Sequence, residues 1–318
     1  THCFKLFLYK SVAEIRMKTN IFLTCMLLAT LFSACNATKR NQQKELEQPI
    51  GQVLKDKKAT VGVAVLVNDT IVALHNNQIH FPLFSVFKFH VALAVLDKMD
   101  KGHVSLDSIM EIKAAQMLPN TYSPLRQKFP DRDFSISLGE LLKYSISLSD
   151  NNACDVLIDY AGGIDKVNSY IKSLGLKDFN LAANEELMHR DVATQYQNWS
   201  TPEAVVRLLN IADKQTLFAA EYKDFLWQIL KETSTGTDKL KGELPPDVIV
   251  GHKTGSSDRT PEGVKTADND AGFIILPDGR KYYITVLVME SQETDRENAA
   301  IIARISKIVY DSLNPNIQ

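Results

Sequence analysis

The sequence predicts an α+β fold in which one antiparallel sheet is built from both ends of the chain around an inserted all-helical domain. β-rich runs lie at 60–77 and return between 247 and 290, whereas the stretch from Ser85 to about Glu232 has mostly helical periodicity. Apolar residues at helical spacing follow at 297–313. We therefore expect helices near the two chain ends to pack on the sheet.

The chain is long enough to bury a full-sized core. Its 318 residues are 45% hydrophobic and 23% charged, which fits one large domain or two. The formal net charge of -2 offers no electrostatic footprint for a nucleic acid. We therefore expect no nucleic-acid partner, and as a separate expectation we take the protein to be a monomer.

The first residues have the pattern of a secretory signal. Met17 is followed by Lys18 and then by the apolar stretch IFLTCMLLATLFSAC, which is too short for a comfortable membrane span. We interpret residues 1–35 as upstream residues followed by a signal peptide that starts at Met17. The mature protein is then expected in the periplasm.

The exit of this signal leaves two alternatives open. LFSAC resembles a bacterial lipoprotein box with Cys35 as the lipidated first residue, although Phe32 departs from the usual aliphatic residue. The other alternative is ordinary cleavage just after Ala37. Lipidation would anchor the protein to a membrane by burying its acyl chains.

Cysteine usage predicts neither a disulfide framework nor a metal site. Cys3 and Cys25 fall in sequence that is expected to be removed, so only Cys35 and Cys154 remain. Cys154 has no neighbours at metal-ligand spacing, and we expect it to be a small buried apolar residue. No metal and no cofactor are predicted.

Local signals place the elements in order along the mature chain. A helix is predicted through LEQPIGQVLKDKK, and a hairpin follows around Asn68-Asp69. In the helical block, Thr201-Pro202 is an N-cap followed by proline at the first helical position. The turn PDG joins two of the returning strands, and the closing helix comes after them.

These elements predict two domains. Residues 36–82 and 234–318 are assigned to the sheet domain, because they hold the β-rich runs and the terminal helices. Residues 83–233 are assigned to the all-α domain. A cleft between the two domains is where a binding site is expected.

One serine and one lysine, Ser85 and Lys88, interrupt the apolar run FPLFSVFKFHVALAVL. At positions i and i+3 of a helix their side chains share one face. A lysine whose pKa is lowered by burial can accept the serine proton and so activate the hydroxyl as a nucleophile. The spacing alone is weak evidence, because Ser169 and Lys172 repeat it in an ordinary amphipathic helix.

Two further motifs distinguish the first copy from the second. Ser149-Asp150-Asn151 lies between helical segments, where helix capping is the simpler interpretation. Lys253-Thr254-Gly255 follows an apolar strand, and a strand end with a turn glycine would also explain it. In this order, and behind a secretory signal, the three motifs resemble those of the class A serine β-lactamases. The resemblance covers essentially the whole mature chain and implies a β-lactamase/transpeptidase-like fold with a five-stranded sheet.

The resemblance also implies a glutamate that activates a water to release the acyl-enzyme. The stretch ANEELMHRD lies at the right distance, and Glu185 is assigned as this base. A register shifted by one residue would make Glu186 the base. Met188 and His189 replace the family's usual leucine and asparagine, which resembles the branch of PER-type and CfxA-type cephalosporinases. His189 is a candidate for the water site, with a structural hydrogen bond as the alternative.

The remaining roles are implied by the resemblance alone. Ser85 attacks the lactam carbonyl, and its proton passes to Lys88, or to Glu185 through water. The backbone N–H groups of Ser85 and Ser256 hold the oxyanion, and Ser149 relays a proton to the leaving nitrogen. Asn151 orients the substrate amide. The residues assigned to the carboxylate end of the substrate are Lys253, Thr254, Gly255 and Ser256.

Two assignments rest on position in the family pattern. Tyr122 in NTYSPL matches an aromatic gate beside the substrate, with loop packing as the alternative. Lys239 in TGTDKLKG lies where one branch keeps a cation for the substrate carboxylate, with a solvated surface lysine as the alternative. Phe84 and Ser257 occupy the places of a disulfide that many carbapenem-hydrolysing members carry. Without this bridge we do not expect broad carbapenemase activity. By analogy with the family, the Ser256-Ser257 pair after the glycine indicates a cephalosporin preference.

The leading prediction is a hydrolase that opens the β-lactam ring of antibiotics and so gives resistance. A penicillin-binding D-Ala-D-Ala carboxypeptidase or transpeptidase would share the acylation residues, but Glu185 and the compact inserted domain argue against it. A non-hydrolysing β-lactam sensor would need a transmembrane signalling segment, and the sequence pattern does not predict one.

Overall fold

The computed structural model of the protein describes residues 45–315. The predicted signal peptide, its start at Met17 and the candidate lipidation site Cys35 therefore lie outside the described residues. Among residues 45–315, none of the helices combines the length and the hydropathy that a membrane crossing requires.

Five antiparallel strands form the central sheet. They are β1 (Thr60–Val67), β2 (Thr70–His75), β8 (Ile249–Ser256), β9 (Lys265–Ile275) and β10 (Lys281–Ser291). Their order across the sheet is β2-β1-β10-β9-β8. The strands come from both ends of the chain, which confirms the predicted α+β fold class.

Both predicted hairpins form at the turns that the sequence indicates. Asn68 and Asp69 adopt φ angles of 48° and 61°, a left-handed conformation that these two residue types tolerate better than most. At the other turn, Gly279 has a φ of 84°, and the N–H of Leu276 donates to the carbonyl of Arg280. Each turn joins two neighbouring strands of the sheet.

Two terminal helices cover one face of the sheet. Helix α1 spans 45–54, and α11 spans Asp295–Leu313 with Thr294 as its N-cap. Alternate residues of the strands enter this layer, because successive side chains of a strand face opposite sides. The buried apolar residues of this layer include Val61, Val63, Val65, Ile284, Val286, Val288, Ile301, Ile305 and Val309.

A mainly helical segment packs on the other face. Its helices are α2 (Lys88–Lys101), α3 (Pro124–Lys128), α4 (Leu138–Ser147), α5 (Asn151–Ala161), α6 (Ile164–Ser173), α7 (Glu185–Arg190), α8 (Val192–Gln195), α9 (Pro202–Lys214) and α10 (Ala220–Lys231). Thr201 caps α9 and Pro202 is its first residue, as predicted. An ion pair of 2.9 Å between Lys281 Nζ and Asp213 joins α9 to the sheet.

Short strands also occur in and beside the helical segment. They are β3 (Phe81–Pro82), β6 (Phe179–Asn180) and β7 (Trp199–Ser200) in one small sheet, and the pair β4 (Ile109–Ile112) and β5 (Phe134–Ser137). One continuous buried cluster runs from the helices to the strands, where it includes Leu66, Phe273 and Tyr283. The boundaries of the two predicted domains stay a prediction.

Candidate active site

The first motif lies where a 3₁₀ helix (Phe84–Phe87) runs into α2. The Nζ of Lys88 donates a hydrogen bond to Ser85 Oγ at 2.9 Å. Ser85 is partly exposed, whereas Lys88 is fully buried. The hydroxyl is therefore accessible from solvent, with the lysine behind it.

Three further oxygens surround the buried ammonium of Lys88. Its Nζ lies 2.9 Å from the Ser149 carbonyl, 2.6 Å from Asn151 Oδ1 and 2.7 Å from Glu185 Oε1. Burying an ammonium is costly unless it is paired and hydrogen-bonded. The pairing partners come from the second motif and from the predicted water-activating glutamate, so one lysine joins three distant stretches of sequence.

The Ser-Asp-Asn motif forms the connection between α4 and α5. Ser149 has a φ of 58°, and Asp150 caps α5 by accepting from the N–H of Ala153 at 2.8 Å. Burial raises the pKa of the Asp150 carboxyl. Helix capping and a place in the site coincide here, because the cap presents Ser149 and Asn151 to the same cleft.

The Lys-Thr-Gly motif ends strand β8 beside Ser149. The Nζ of Lys253 donates to Ser149 Oγ at 2.8 Å and to the Thr254 carbonyl at 2.9 Å. Complete burial holds the pKa of Lys253 well below its usual value, and the nearby charge of Lys88 lowers it further. The Thr254 hydroxyl lies 2.7 Å from the hydroxyl of Thr235, a residue that belongs to none of the motifs.

Gly255 allows β8 to run directly against the nucleophile segment. A Cβ atom at this position would lie 2.4 Å from the Leu83 carbonyl oxygen and 3.1 Å from the Ser85 nitrogen. Glycine in a strand often marks such a close backbone approach. Any side chain here would push β8 away, so the glycine keeps the backbone of Ser256 next to that of Ser85.

Glu185 begins α7 and faces the cleft, whereas its neighbour Glu186 pairs with Arg190. The backbone N–H groups of Glu185 and Glu186 donate to the carboxylate of Asp155 at 2.8 and 3.0 Å. Burial, followed by the charge of Glu185, raises the pKa of Asp155 to about 7. This geometry favours Glu185 over Glu186 as the base.

Asp155 belongs to none of the motifs, although one signal in the sequence points to it. It lies four residues after Asn151 on α5, and residues at this spacing share one helix face. Since Asn151 was a predicted site residue, this spacing could have indicated that Asp155 lies near the site, although Asp155 was not among the predicted residues. Its two hydrogen bonds to the start of α7 fix the backbone from which Glu185 projects.

Asn198 closes the loop that carries Glu185. Its Oδ1 accepts from the N–H groups of Ala182 and Ala183 at 2.8 and 2.9 Å, and its Nδ2 donates to the Ala183 carbonyl at 2.7 Å. The carbonyl of Asn198 accepts from the N–H of Leu83 at 2.8 Å. Both ends of the loop are thereby tied to the segment that precedes the nucleophile.

A cleft of about 300 Å³ brings most of the predicted site residues together. Tyr122 stands at its rim, 55% exposed. The lining residues are Phe84, Ser85, Thr121, Tyr122, Ser149, Asn151, Glu185, Met188, His189, Gln195, Thr235, Thr254, Ser256, Ser257 and Asp258. Lys88 and Lys253 are buried beneath this surface and reach it through the hydroxyls of Ser85 and Ser149.

Lys239 is the one predicted site residue that does not fit. It is buried, does not line the cleft, and its Nζ lies 2.5 Å from Asp268 Oδ1. This differs from the expectation that Lys239 binds the substrate carboxylate, because a carboxylate of the protein already holds its charge. The alternative of a solvated surface lysine is also wrong. The partner stands 29 residues away, so no local pattern could have identified it.

Cys154 is buried, as predicted, and burial raises the pKa of its thiol well above the usual value.

Within residues 45–315, no group of three or more histidine, cysteine, aspartate or glutamate side chains is arranged to hold a metal ion.

Comparison with known proteins identifies the family. The model of the β-lactamase enzyme family matches residues 45–313. A β-lactamase of Bacteroides uniformis is 60% identical over 288 residues, 90% of this chain and 97% of the relative. The crystal structure of a class A β-lactamase from Bacteroides cellulosilyticus matches with a TM-score of 0.85 and 72% identity, covering 86% of this chain and 99% of that one. The chain belongs to the class A β-lactamases.

As a class A β-lactamase, the enzyme is a serine hydrolase that acts on β-lactam antibiotics and so gives resistance. Its predicted branch is confirmed as well. The extended-spectrum β-lactamase PER-1 of Pseudomonas aeruginosa is 38% identical over 298 residues, 91% of this chain and 96% of the relative. The resemblance that three short motifs indicated thus extends over nearly the whole chain.

Proposed function

We propose that the enzyme hydrolyses β-lactams through an acyl-enzyme on Ser85, that Glu185 activates the water that releases it, and that cephalosporins are the preferred substrates. The main support is the position of Lys88 Nζ, 2.9 Å from Ser85 Oγ and 2.7 Å from Glu185 Oε1. One lysine thus touches the nucleophile of the first step and the base of the second.

Acylation requires Ser85 to lose its proton as its Oγ attacks the lactam carbonyl. A Lys88 ammonium that donates to Ser85 cannot accept this proton until it has lost one of its own, so the proton passes either to a neutral Lys88 or, through a water, to Glu185. In one route Lys88 first protonates Glu185 and then takes the serine proton as a neutral amine. In the other route a water carries the serine proton to Glu185 directly. Both routes end with protonated Glu185 and charged Lys88. Without the Glu185 carboxylate the first route stays open at a lower rate, because Lys88 can lose its proton to solvent instead.

The oxyanion that forms in this step is assigned to the backbone N–H groups of Ser85 and Ser256. Gly255 supports this assignment, since its lack of a side chain lets β8 approach the Ser85 backbone. Preorganised donors stabilise developing charge without reorganisation during the reaction. Loss of one such donor typically costs about a hundredfold or more in rate.

Opening of the ring requires a proton for the leaving nitrogen, and Ser149 is assigned to supply it. Its Oγ accepts from Lys253 Nζ at 2.8 Å, so Lys253 can replace the proton that Ser149 gives up. A lowered pKa makes an ammonium a stronger acid. Burial of Lys253 therefore favours proton transfer along this pair.

Substrate binding is assigned to the two sides of the cleft. Lys253, Thr254 and Ser256 offer an ammonium and two hydroxyls to the substrate carboxylate. Thr235 joins this group through its contact with Thr254. On the opposite side Asn151 already uses its Oδ1 on Lys88, so its amide group is held in a fixed orientation for the substrate amide.

Deacylation returns Glu185 to the carboxylate form, in which it takes a proton from the water that attacks the ester. His189 lines the cleft one helical turn after Glu185, where it can contact this water or make a structural hydrogen bond.

The cephalosporin preference is supported by the Ser256-Ser257 pair and by the likeness to a relative named as an extended-spectrum β-lactamase.

Turnover of nitrocefin, a chromogenic cephalosporin, tests this proposal against its alternatives. We expect steady colour development far beyond one equivalent of enzyme. A burst of one equivalent without turnover would instead indicate a transpeptidase, a carboxypeptidase or a sensor. Rates for a penicillin, two cephalosporins and a carbapenem would test the substrate preference, which requires the cephalosporins to have the highest kcat/KM.

We also propose export of a monomer to the periplasm by the signal in residues 1–35, with Cys35 as a lipid anchor. The support is the sequence pattern alone. A lipid anchor predicts that the unaltered enzyme is extracted from membranes only with detergent. It also predicts that Cys35→Ala abolishes this association with the membrane. Release of the unaltered enzyme in the soluble periplasmic fraction would favour cleavage after Ala37.

A further inference from the structure

Asn269 makes a set of buried contacts that the proposed mechanism does not use. It lies in β9, directly opposite Gly255 of β8, and is fully buried. Its Nδ2 donates to the carbonyls of Pro82 and Leu83 at 2.8 and 3.1 Å. Its Oδ1 accepts from the N–H of Val288 at 3.1 Å. Both amide hydrogens and the oxygen are therefore satisfied by backbone groups.

The segment that Asn269 holds leads directly to the nucleophile. Phe84 stands between Leu83 and Ser85 with a φ of 46°, a left-handed conformation that is unfavourable for a bulky residue. Such a conformation persists only where the surroundings impose it. The Leu83 carbonyl also accepts from the N–H of Val86 at 3.2 Å, so one oxygen connects β9 with the first turn of the 3₁₀ helix.

The two proposed oxyanion donors meet at this point. Ser256 pairs with Asp268, the residue before Asn269, in the β8–β9 register. Ser85 follows the two carbonyls that Asn269 holds. The backbone of one short stretch of β9 therefore governs the position of Ser256, while its Asn269 side chain governs the position of Ser85.

We propose that Asn269 is a positioning residue that sets the spacing between the N–H groups of Ser85 and Ser256, and thereby the geometry of the oxyanion hole. This role rests on the proposed acyl-enzyme mechanism. An amide is suited to it, because it supplies two donors for two carbonyls and one acceptor for an N–H. An aspartate of the same shape has no N–H and would place a carboxylate against two carbonyl oxygens.

Asn269→Asp is the decisive variant, and Asn269→Ser, which keeps one donor, is the milder second variant in case the first fails to fold. We expect the rate of acylation by nitrocefin to fall by about tenfold or more, as for a weakened oxyanion hole. In the Glu185→Gln background, which should retain the adduct, the ester carbonyl band in infrared difference spectra should move to higher frequency. A residue with only a structural role would lower the unfolding midpoint and leave this band in place.

Asn298→Asp provides the matched control. Asn298 is also fully buried, but it lies in α11 and its Oδ1 accepts from the Ser291 hydroxyl at 2.7 Å. Its variant should lose stability without a change in the carbonyl band. The positioning role would be overturned if folded Asn269 variants kept the acylation rate and the ester carbonyl band of the unaltered enzyme. It would also be overturned if Asn298→Asp shifted the carbonyl band as far as the Asn269 variants do. Failure of the unaltered enzyme to become acylated would instead overturn the proposed mechanism itself.

Discussion

The Ser-x-x-Lys spacing occurs twice in this enzyme, and the two copies differ in everything except spacing. At Ser85–Lys88 the lysine is fully buried, with oxygens of the serine, a backbone carbonyl, an asparagine and a glutamate within 2.9 Å of its Nζ. At Ser169–Lys172 both residues are exposed on α6. Solvent hydrates the second lysine, and no buried partners hold its ammonium against the serine. The same spacing therefore supports catalysis only where the fold buries the lysine among specific partners.

The largest expected effect separates the two serines. Ser85→Ala should abolish covalent labelling by a β-lactam and lower kcat by about a thousandfold or more, because the nucleophile is lost. Ser169→Ala removes an exposed hydroxyl at the same spacing and should leave labelling and kcat unchanged. Mass spectrometry of the labelled proteins measures the first quantity, and nitrocefin kinetics the second. Labelling of Ser85→Ala at full stoichiometry would show that another residue is the nucleophile.

The second largest expected effect concerns Glu185, the carboxylate beside the buried lysine of the first Ser-x-x-Lys copy. Glu185→Gln should leave acylation measurable and slow deacylation by about a hundredfold or more, because general base catalysis is lost. The adduct should then accumulate and be visible by mass spectrometry. Glu186→Gln, one residue away but paired with Arg190, is the control and should turn over normally. Reversed behaviour of these two variants would move the base to Glu186.

The smallest expected effect is a pH dependence that distinguishes a buried ammonium from an exposed one. Because burial lowers the pKa of Lys253, its charge is lost as pH rises through a value below the usual range for lysine. KM for an anionic β-lactam should therefore rise at alkaline pH, by about tenfold per pH unit above that pKa. Lys253→Arg keeps its charge at these pH values and should show no such rise.

The control for this measurement is Lys172→Arg, since Lys172 is exposed on α6. Its KM profile should coincide with that of the unaltered enzyme. An alkaline rise in KM that survives in Lys253→Arg would show that another group binds the substrate carboxylate.

Sequence patterns predicted the parts of the molecule that depend on neighbouring residues. The turn at Asn68-Asp69, the cap and first turn of α9 at Thr201-Pro202, and the capping Asp150 all depend on contacts within a few residues. Each such element has its signal in one short window. The three motifs were recognisable for the same reason, although their joint meaning came from resemblance to a family.

Contacts between distant residues were decided by the tertiary structure alone. Lys253 reaches Ser149 across 104 positions, Asn269 reaches Pro82 across 187, and Lys239 pairs with Asp268 rather than facing the cleft. Which charged side chain meets a substrate and which meets another side chain depends on how the layers pack. A sequence pattern records which residue types are available. The pKa and reactivity of these residues depend on burial and on partners, which exist only once strands and helices from both ends of the chain are packed together.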